Sequence, residues 1–317
     1  VEKELWKTHC QLETFSTSTL YHAQDLPFAL KDIPDVFTNF RKRIEKESTI
    51  REVFLKPSTI KSPLIDTLIL PRLEQLGLET ITKDCRAAID FKGGETEGYI
   101  RLNNYLFETQ AILTYKETRN GMIGENYSTK FSAWLAIGCL SPREIYYELK
   151  KYEAQFSSNE STYWLEFELL WRDYFRFMMK KYSNKFFQQA GIQAKTDNLH
   201  KHNYETLLTW INGKTGNDFI DANMIELKLT GFMSNRGRQN VASYLCNNLK
   251  LDWRYGAAYF EQQLIDYDVC SNWGNWAYLA GVGNDPRGNR VFNIEKQEID
   301  YDPKKIYRNL WLNNYLK

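Results

Sequence analysis

The chain has 317 residues with 41 basic and 40 acidic side chains, a net charge of +1, and a composition that is 43% hydrophobic and 15% aromatic. Such a composition supports a substantial core and excludes a disordered chain, while the balanced charge neither demands nor excludes a nucleic-acid partner, so any basic surface has to be local. Cys10, Cys85, Cys139, Cys246 and Cys270 are scattered without a C-x-x-C, and His9, His22, His200 and His202 lack zinc-ligand spacing. No run reaches the length of a membrane-crossing helix, and the first residues lack the apolar core of a signal peptide. Together these features read as a reduced, metal-free, intracellular protein: cytoplasmic if its source is bacterial, with an organelle or the nucleus as further options in a eukaryote. The start at Val1 rather than Met reads as a fragment or a processed chain.

In chain order, "VEKELWK" is a short helical start, "CQLETFSTSTLY" has the alternation of a strand, and Pro27, Pro34, Pro57, Pro63 and Pro71 punctuate a long linker that holds short helices such as "PDVFTNFRKRIEK". Residues 1–90 therefore read as one unit, and residues 91–317 as a mainly all-α body. Its clearest helix start is "LSPREIYYELKKYE", where Ser141 is the N-cap, Pro142 takes the first helical position and Glu144 completes a capping box. Helical periodicity returns in residues 161–181, in "YETLLTWI", in "NVASYLCNNL" and in "YGAAYFEQQLI".

Within "STYWLEFELLWRDYFRF", Trp164, Glu168, Trp171 and Phe175 fall in a helical sector about 60° wide, and the polar edge of Glu166 and Asp173 lies nearly opposite. A carboxylate inside an aromatic stripe has to be paired, hydrogen-bonded or protonated, because uncompensated desolvation costs several kcal/mol, roughly. Glu168 needs a partner.

Two glycine-bearing segments are set aside. "GKTG" at 213–216 lacks the upstream glycine of a phosphate loop, since Leu208 stands there, and reads as a helix-ending turn. "GVGNDP" at 281–286 carries Pro286 where a dinucleotide fingerprint has glycine, and reads as a loop. In "NYSTKFSAWLAIGCLSP", Ser128, Thr129 and Ser132 stand at the start of an apolar helical segment, where hydroxyls and free N–H groups hold a phosphate or, more simply, cap the helix. In "TGFMSNRGRQNVASYL", arginines at a helix start oppose its dipole and call for an anion, a surface carboxylate or a phosphate. "LIDYDVCSNWGNWAYLAGVGNDPRG" crowds Asp266, Asp268, Asn272, Trp273, Trp276 and Tyr278 more closely than a simple helical core face, and suggests a pocket for a flat ring with a polar edge.

These motifs, with "YKETRNGMIGENYSTKFSAWLAIGCLSP" and "FELLWRDYFRF", together resemble the flavin-binding helical domain of the cryptochrome and DNA photolyase family, in its DASH branch. "STLYHAQDLPF" and "PDVFTNFRK" resemble the end of that branch's N-terminal α/β domain and its linker. The resemblance covers nearly the whole chain and implies a photolyase/cryptochrome helical domain preceded by a remnant of an α/β domain. The missing part of that domain helps hold a folate antenna, methenyltetrahydrofolate, in the family, so the antenna is in doubt here.

By the same resemblance, Tyr115, Ser128, Thr129, Lys130, Phe131 and Ser132 hold the phosphates and ribose of FAD; Arg172 also belongs to the cofactor site. Arg238 and Asp266 form an ion pair beside the flavin ring, Asp268 contacts it, and Asn272 faces its N5. Glu168, Trp171 and Asn235 contact damaged pyrimidines, with Glu168 and Asn235 also touching the cofactor, and Gln239 and Tyr278 widen the lesion cavity in favour of single-stranded DNA. Trp276 and Trp253 match the inner members of an electron relay whose outermost position falls on His200, ten residues before Trp210, which leaves a tyrosine such as Tyr204 as a terminal donor.

The implied activity is light-driven electron transfer from reduced FAD that splits cyclobutane pyrimidine dimers, by a monomer acting on damaged DNA, with non-specific RNA or duplex binding as a lesser expectation. The alternatives are a blue-light photoreceptor with weak or absent repair, and a helical nucleic-acid module without cofactor. Lys180, Lys181, Lys185, Arg236 and Arg238 are the candidates for a local basic face, against a plain solvated charge face.

Overall fold

The computed structural model describes residues 1–62, 69–79, 82–195, 202–285 and 290–313. Its helices are α1 (Glu2–Trp6), α2 (Phe37–Glu47), α3 (Glu95–Asn103), α4 (Tyr115–Thr118), α5 (Ser132–Ala136), α6 (Pro142–Gln155) and α7 (Glu160–Tyr182). They continue as α8 (Tyr204–Ile211), α9 (Asp218–Thr230), α10 (Asn235–Ser243), α11 (Trp253–Gln263), α12 (Val269–Leu279), α13 (Ile294–Tyr301) and α14 (Ile306–Leu312). Among the described residues there is no strand, and no helix is long and apolar enough to cross a membrane.

The strand expected in "CQLETFSTSTLY" is therefore a correction: residues 10–17 run without regular structure. A strand is stabilised by its neighbours, and no described segment pairs with this one. The capping box expected for α6 is present, with Ser141 Oγ accepting from the Arg143 N–H (3.3 Å) and Glu144 Oε2 accepting from the Ser141 N–H (3.1 Å). "GKTG" ends α8 as a turn, its glycines at φ 60° and 83°.

The 23-residue helix α7 is the axis of the molecule. It begins at Asn159, whose Oδ1 accepts from the Ser161 and Thr162 N–H groups (2.8 and 3.0 Å), and stops at Ser183, where φ turns to 49°. α2, α4, α6 and α12 pack around it, α11 lies on α12, and α9 is enclosed by α8, α10 and α14. α10 leads into a wider π turn, Tyr244–Asn248, that completes the expected "NVASYLCNNL" helix.

Asp173 is not on a polar edge. It is fully buried, and its two oxygens accept from the Leu20 and Tyr21 N–H groups at 2.9 and 2.8 Å. The side of α7 expected to face water is covered by residues 18–21, which this carboxylate pins down. Glu166, on the same side, takes the ammonium of Lys150.

Candidate functional site: a partitioned cavity around Glu168

Three adjoining compartments open between α4, α5, α7, α10 and α12. The first, about 210 Å³, is lined by Tyr115, Arg119, Ser128 through Ser132, Glu168, Phe232, Asn235, Arg238 and Asp266. The second, about 110 Å³, runs between α10 and α12 past Arg238, Gln239, Asp266, Asp268, Asn272 and Trp276. The third and widest, about 470 Å³, is walled by Phe167, Trp171, Phe175 and Tyr278, with Arg119, Arg172, Gln239, Asn275 and Arg290 at its polar margin. Asn235, the first residue of α10, borders all three, and Glu168 borders the first and third.

Glu168 has its partner in Arg119, whose Nη1 donates to Oε1 at 2.7 Å, while the Trp164 indole N–H donates to the same oxygen at 3.2 Å. The guanidinium also lies 5.2 Å from the Trp164 ring centre. About 31% of the Glu168 side chain is accessible, and that surface faces the cavity. Burial raises its pKa from 4.5, while Arg119 and the indole act the other way. Sequence reasoning missed Arg119 as a site residue; its signal was a cation one turn after Tyr115 in "YKETR", just past the end of the short helix α4 that packs on α7.

The arginine expected to find an anion does so. Arg238 Nη2 contacts both Asp266 oxygens at 3.1 and 2.9 Å, and the aspartate side chain is 2% exposed. Arg236 is instead held by amide oxygens of Gln239 (3.0 Å) and Asn120 (3.0 Å) and stacks over Tyr301. Asn272 spends an amide N–H on Ala257 O (2.9 Å) and turns to the second compartment. Asp268 caps α12 by accepting from the Ser271 N–H (2.8 Å) and pairs with Arg176.

Trp171 is stacked on Phe37 (3.7 Å between centres, 14° between planes) and meets Tyr278 edge-on at 5.9 Å, so the aromatic wall is fixed from behind by α2. Arg172 ties Ser18 O and Leu135 O (3.1 Å for the latter) while lining the third compartment. Ser128, Thr129 and Ser132 all line the first compartment, but the helix they precede, α5, is only one turn long. An anion in that compartment would meet hydroxyls rather than the dipole of a long helix. Lys130, at φ 57°, has its ammonium on Glu125 O (2.8 Å) and over the Tyr127 ring, and burial, with Arg101 nearby, pushes its pKa down to about 7. Phe131 and Tyr115 are buried walls of the compartment.

Of the expected basic face, Lys181 is taken up by Asp35 (2.8 Å), and Arg238 by Asp266. Lys180 and Lys185 are exposed. Trp276 and Trp253 are both buried; Tyr204 is exposed, its ring 6.4 Å from His202. His200 lies outside the described residues, as does Pro286.

The first compartment offers hydroxyls to an anionic group, and the second offers a buried ion pair and carboxamides to a polar-edged one. Residues 164–316 match the family described as the FAD binding domain of DNA photolyase, and FAD is the cofactor this match gives. The helical architecture and this match define the class: the chain belongs to the cryptochrome and DNA photolyase family. Within it the chain falls in the DASH branch. It is 51% identical to the cryptochrome DASH of Danio rerio, over 98% of this chain and 61% of the relative. It is 55% identical to that of Synechocystis sp., over 93% and 60%. A crystal structure of a Synechocystis cryptochrome superposes with a TM-score of 0.93 at 52% identity, over 98% of this chain and 65% of that one. The chain thus spans about three fifths of the length of these curated relatives.

Proposed function

We propose that this chain is the FAD-bearing portion of a light-driven lyase that splits cyclobutane pyrimidine dimers, preferentially in single-stranded DNA. The observation that supports the reading is that the three compartments meet at Asn235, with Glu168 between the first and third, so that one carboxyl and one carboxamide lie between the proposed cofactor site and an aromatic-walled cavity. Tyr115, Ser128, Thr129, Phe131 and Ser132 would hold the phosphates and ribose, with Lys130 shaping the loop from behind; Arg238, Asp266, Asp268 and Asn272 would border the ring. Arg172 acts beside them by fixing the end of α5.

When bound, FAD supplies the photochemistry, its reduced form absorbing blue or near-UV light and passing an electron to the dimer. The chain's own residues position the lesion and tune its charge. Glu168, whose pKa burial raises against the pull of Arg119, would donate in its protonated form to a pyrimidine carbonyl oxygen as negative charge develops there, and the Asn235 amide supplies a second donor. Trp171, Phe175 and Tyr278 exclude water from the third compartment. Gln239 and Tyr278 offer less stacking surface than a methionine and tryptophan would. Extracting a dimer from a duplex costs a few kcal/mol, roughly, and much less from a single strand, so a cavity of this kind favours the single strand.

Residues 1–90 would be a remnant of an α/β domain together with its linker, and the lyase would act as an intracellular monomer. The test is repair of a single-stranded oligonucleotide carrying one thymine dimer by FAD-loaded, photoreduced protein, in blue light and in the dark. Light-dependent loss of the dimer is the expected result. No repair by a flavin-loaded sample would transfer the weight to photoreception.

A further inference from the structure

Trp253 is a poor resting place for positive charge. It is 3% exposed, and its indole N–H donates to Gln189 O at 3.0 Å. A one-electron-oxidised tryptophan is a strong acid at that nitrogen, and an amide carbonyl is no base. Trp210, which meets Trp276 edge-on at 6.2 Å, is worse placed, being fully buried with its N–H on Val241 O (3.2 Å).

A different indole has what both lack. Trp273 on α12 meets Trp253 edge-on, 5.7 Å between ring centres at 76°. It is half-buried, and its N–H donates to the Glu261 carboxylate at 3.0 Å, on the exposed side of α11. The Tyr267 hydroxyl lies close to the same carboxylate, and the Phe187 ring closes the other flank at 4.9 Å. At the inner end of the path, Gly256 stands between the two rings. The Trp276 ring lies against Gly256, where a Cβ would stand 2.2 Å from Cη2, one helical turn from Trp253.

We propose that Trp273 is the terminal electron donor of this chain's relay and that Glu261 accepts its proton; the inference rests on the FAD-photochemistry reading above. With FAD bound in its oxidised form and photoexcited, Trp276 would give up one electron and be refilled from Trp253, which would be refilled from Trp273. The Trp273 radical cation then passes its indole proton to Glu261, leaving a neutral indole radical and a protonated carboxyl that loses its proton to water. A thiol in solution returns one hydrogen atom to the indole, so electrons and protons balance. Once the proton has left, the hole cannot run back to Trp253 without recapturing it.

The experiment is transient absorption on FAD-loaded protein with oxidised flavin, comparing W273F, W273Y, E261Q and W253F, with steady photoreduction by a thiol measured alongside. Loss of the long-lived radical in W273F, its return as a tyrosine radical in W273Y, and a cation spectrum that fails to convert to the neutral one in E261Q are expected. W253F should abolish the signal altogether. As a readout independent of bound flavin, one-electron oxidation of the flavin-free chain by a photogenerated ruthenium(III) complex should place the product on Trp273 by mass spectrometry. An unchanged long-lived radical in W273F, or oxidation products on Tyr204 instead, overturns the inference. A chain that takes up no FAD overturns the function proposed above instead, so the two failures are told apart.

Discussion

Replacing Arg119 with methionine removes the cation 2.7 Å from Glu168 and leaves the carboxyl in a cavity wall with only the Trp164 indole, at 3.2 Å, as its donor. Breaking a fully buried pair costs about 3–5 kcal/mol, and an exposed pair about 0–1. With 23% and 31% of the two side chains accessible, about 1–3 kcal/mol is expected. The loss depends on pH in a definite direction. Burial already raises the Glu168 pKa above 4.5 in the folded state, and without Arg119 it rises further. A carboxyl whose folded pKa is raised is harmless while protonated in both states, and it costs stability as pH climbs through the folded value. R119M should therefore nearly match the parent at about pH 5 and fall behind by about pH 8. The assay is urea unfolding at both pH values at equal flavin loading, with R119M/E168Q as the closing corner of the cycle. In that double variant the pH-dependent part should vanish. A deficit equal at both pH values would refute the electrostatic account and leave only lost packing on Trp164.

Asp173→Ala strips two buried backbone N–H groups of their acceptor; at about 1–3 kcal/mol each, a loss of about 2–6 kcal/mol is expected, with faster proteolysis around residues 18–21. Gly256→Ala forces Trp276 to move, since the new Cβ would meet it at 2.2 Å. A destabilisation of about 1–3 kcal/mol, read by urea unfolding, should accompany a changed Trp276 fluorescence. Glu226, fully enclosed and holding the Tyr307 hydroxyl at 2.5 Å, is pushed up to about 8 by burial. Its contribution to stability is present below its unfolded pKa near 4.5 and is lost as pH rises toward 8, so E226Q should flatten the decline. The comparison belongs between about pH 5 and 7, because Lys130, lowered to about 7, acts in the opposite sense above that range.

Much of the helical body is legible in the sequence because its helices announce themselves locally. The Ser141–Pro142–Glu144 start and the "YETLLTWI" segment depend on residues a few positions apart, and the structure carries both where they were expected. Arg238's need for an anion was also readable, since a cation at a helix start opposes the dipole whatever else packs there. What the sequence hid depends on distant chain. Asp173 looked like a solvated edge because periodicity places a side chain on a face but cannot say that residues 18–21 will cover that face. "CQLETFSTSTLY" has the alternation of a strand, yet alternation supplies only half of a strand's requirement, and the pairing partner is absent among the described residues.

Glu168 shows both sides of this division. Its position in an aromatic stripe required a partner, and that requirement was readable from α7 alone. The partner's identity was not, because Arg119 stands 49 residues earlier, just past the end of a helix of one turn. The same asymmetry separates the two ends of the relay. Trp276 and Trp253 are the rings that the family resemblance points to for the proposed relay, whereas Trp273 stands in the same motif as Trp276 but its merit lies in a contact with Trp253 and a carboxylate twelve residues away on the neighbouring helix. A motif can mark which rings carry an electron, but where the charge comes to rest is decided by which indole has a base for its proton, and that is a property of packing.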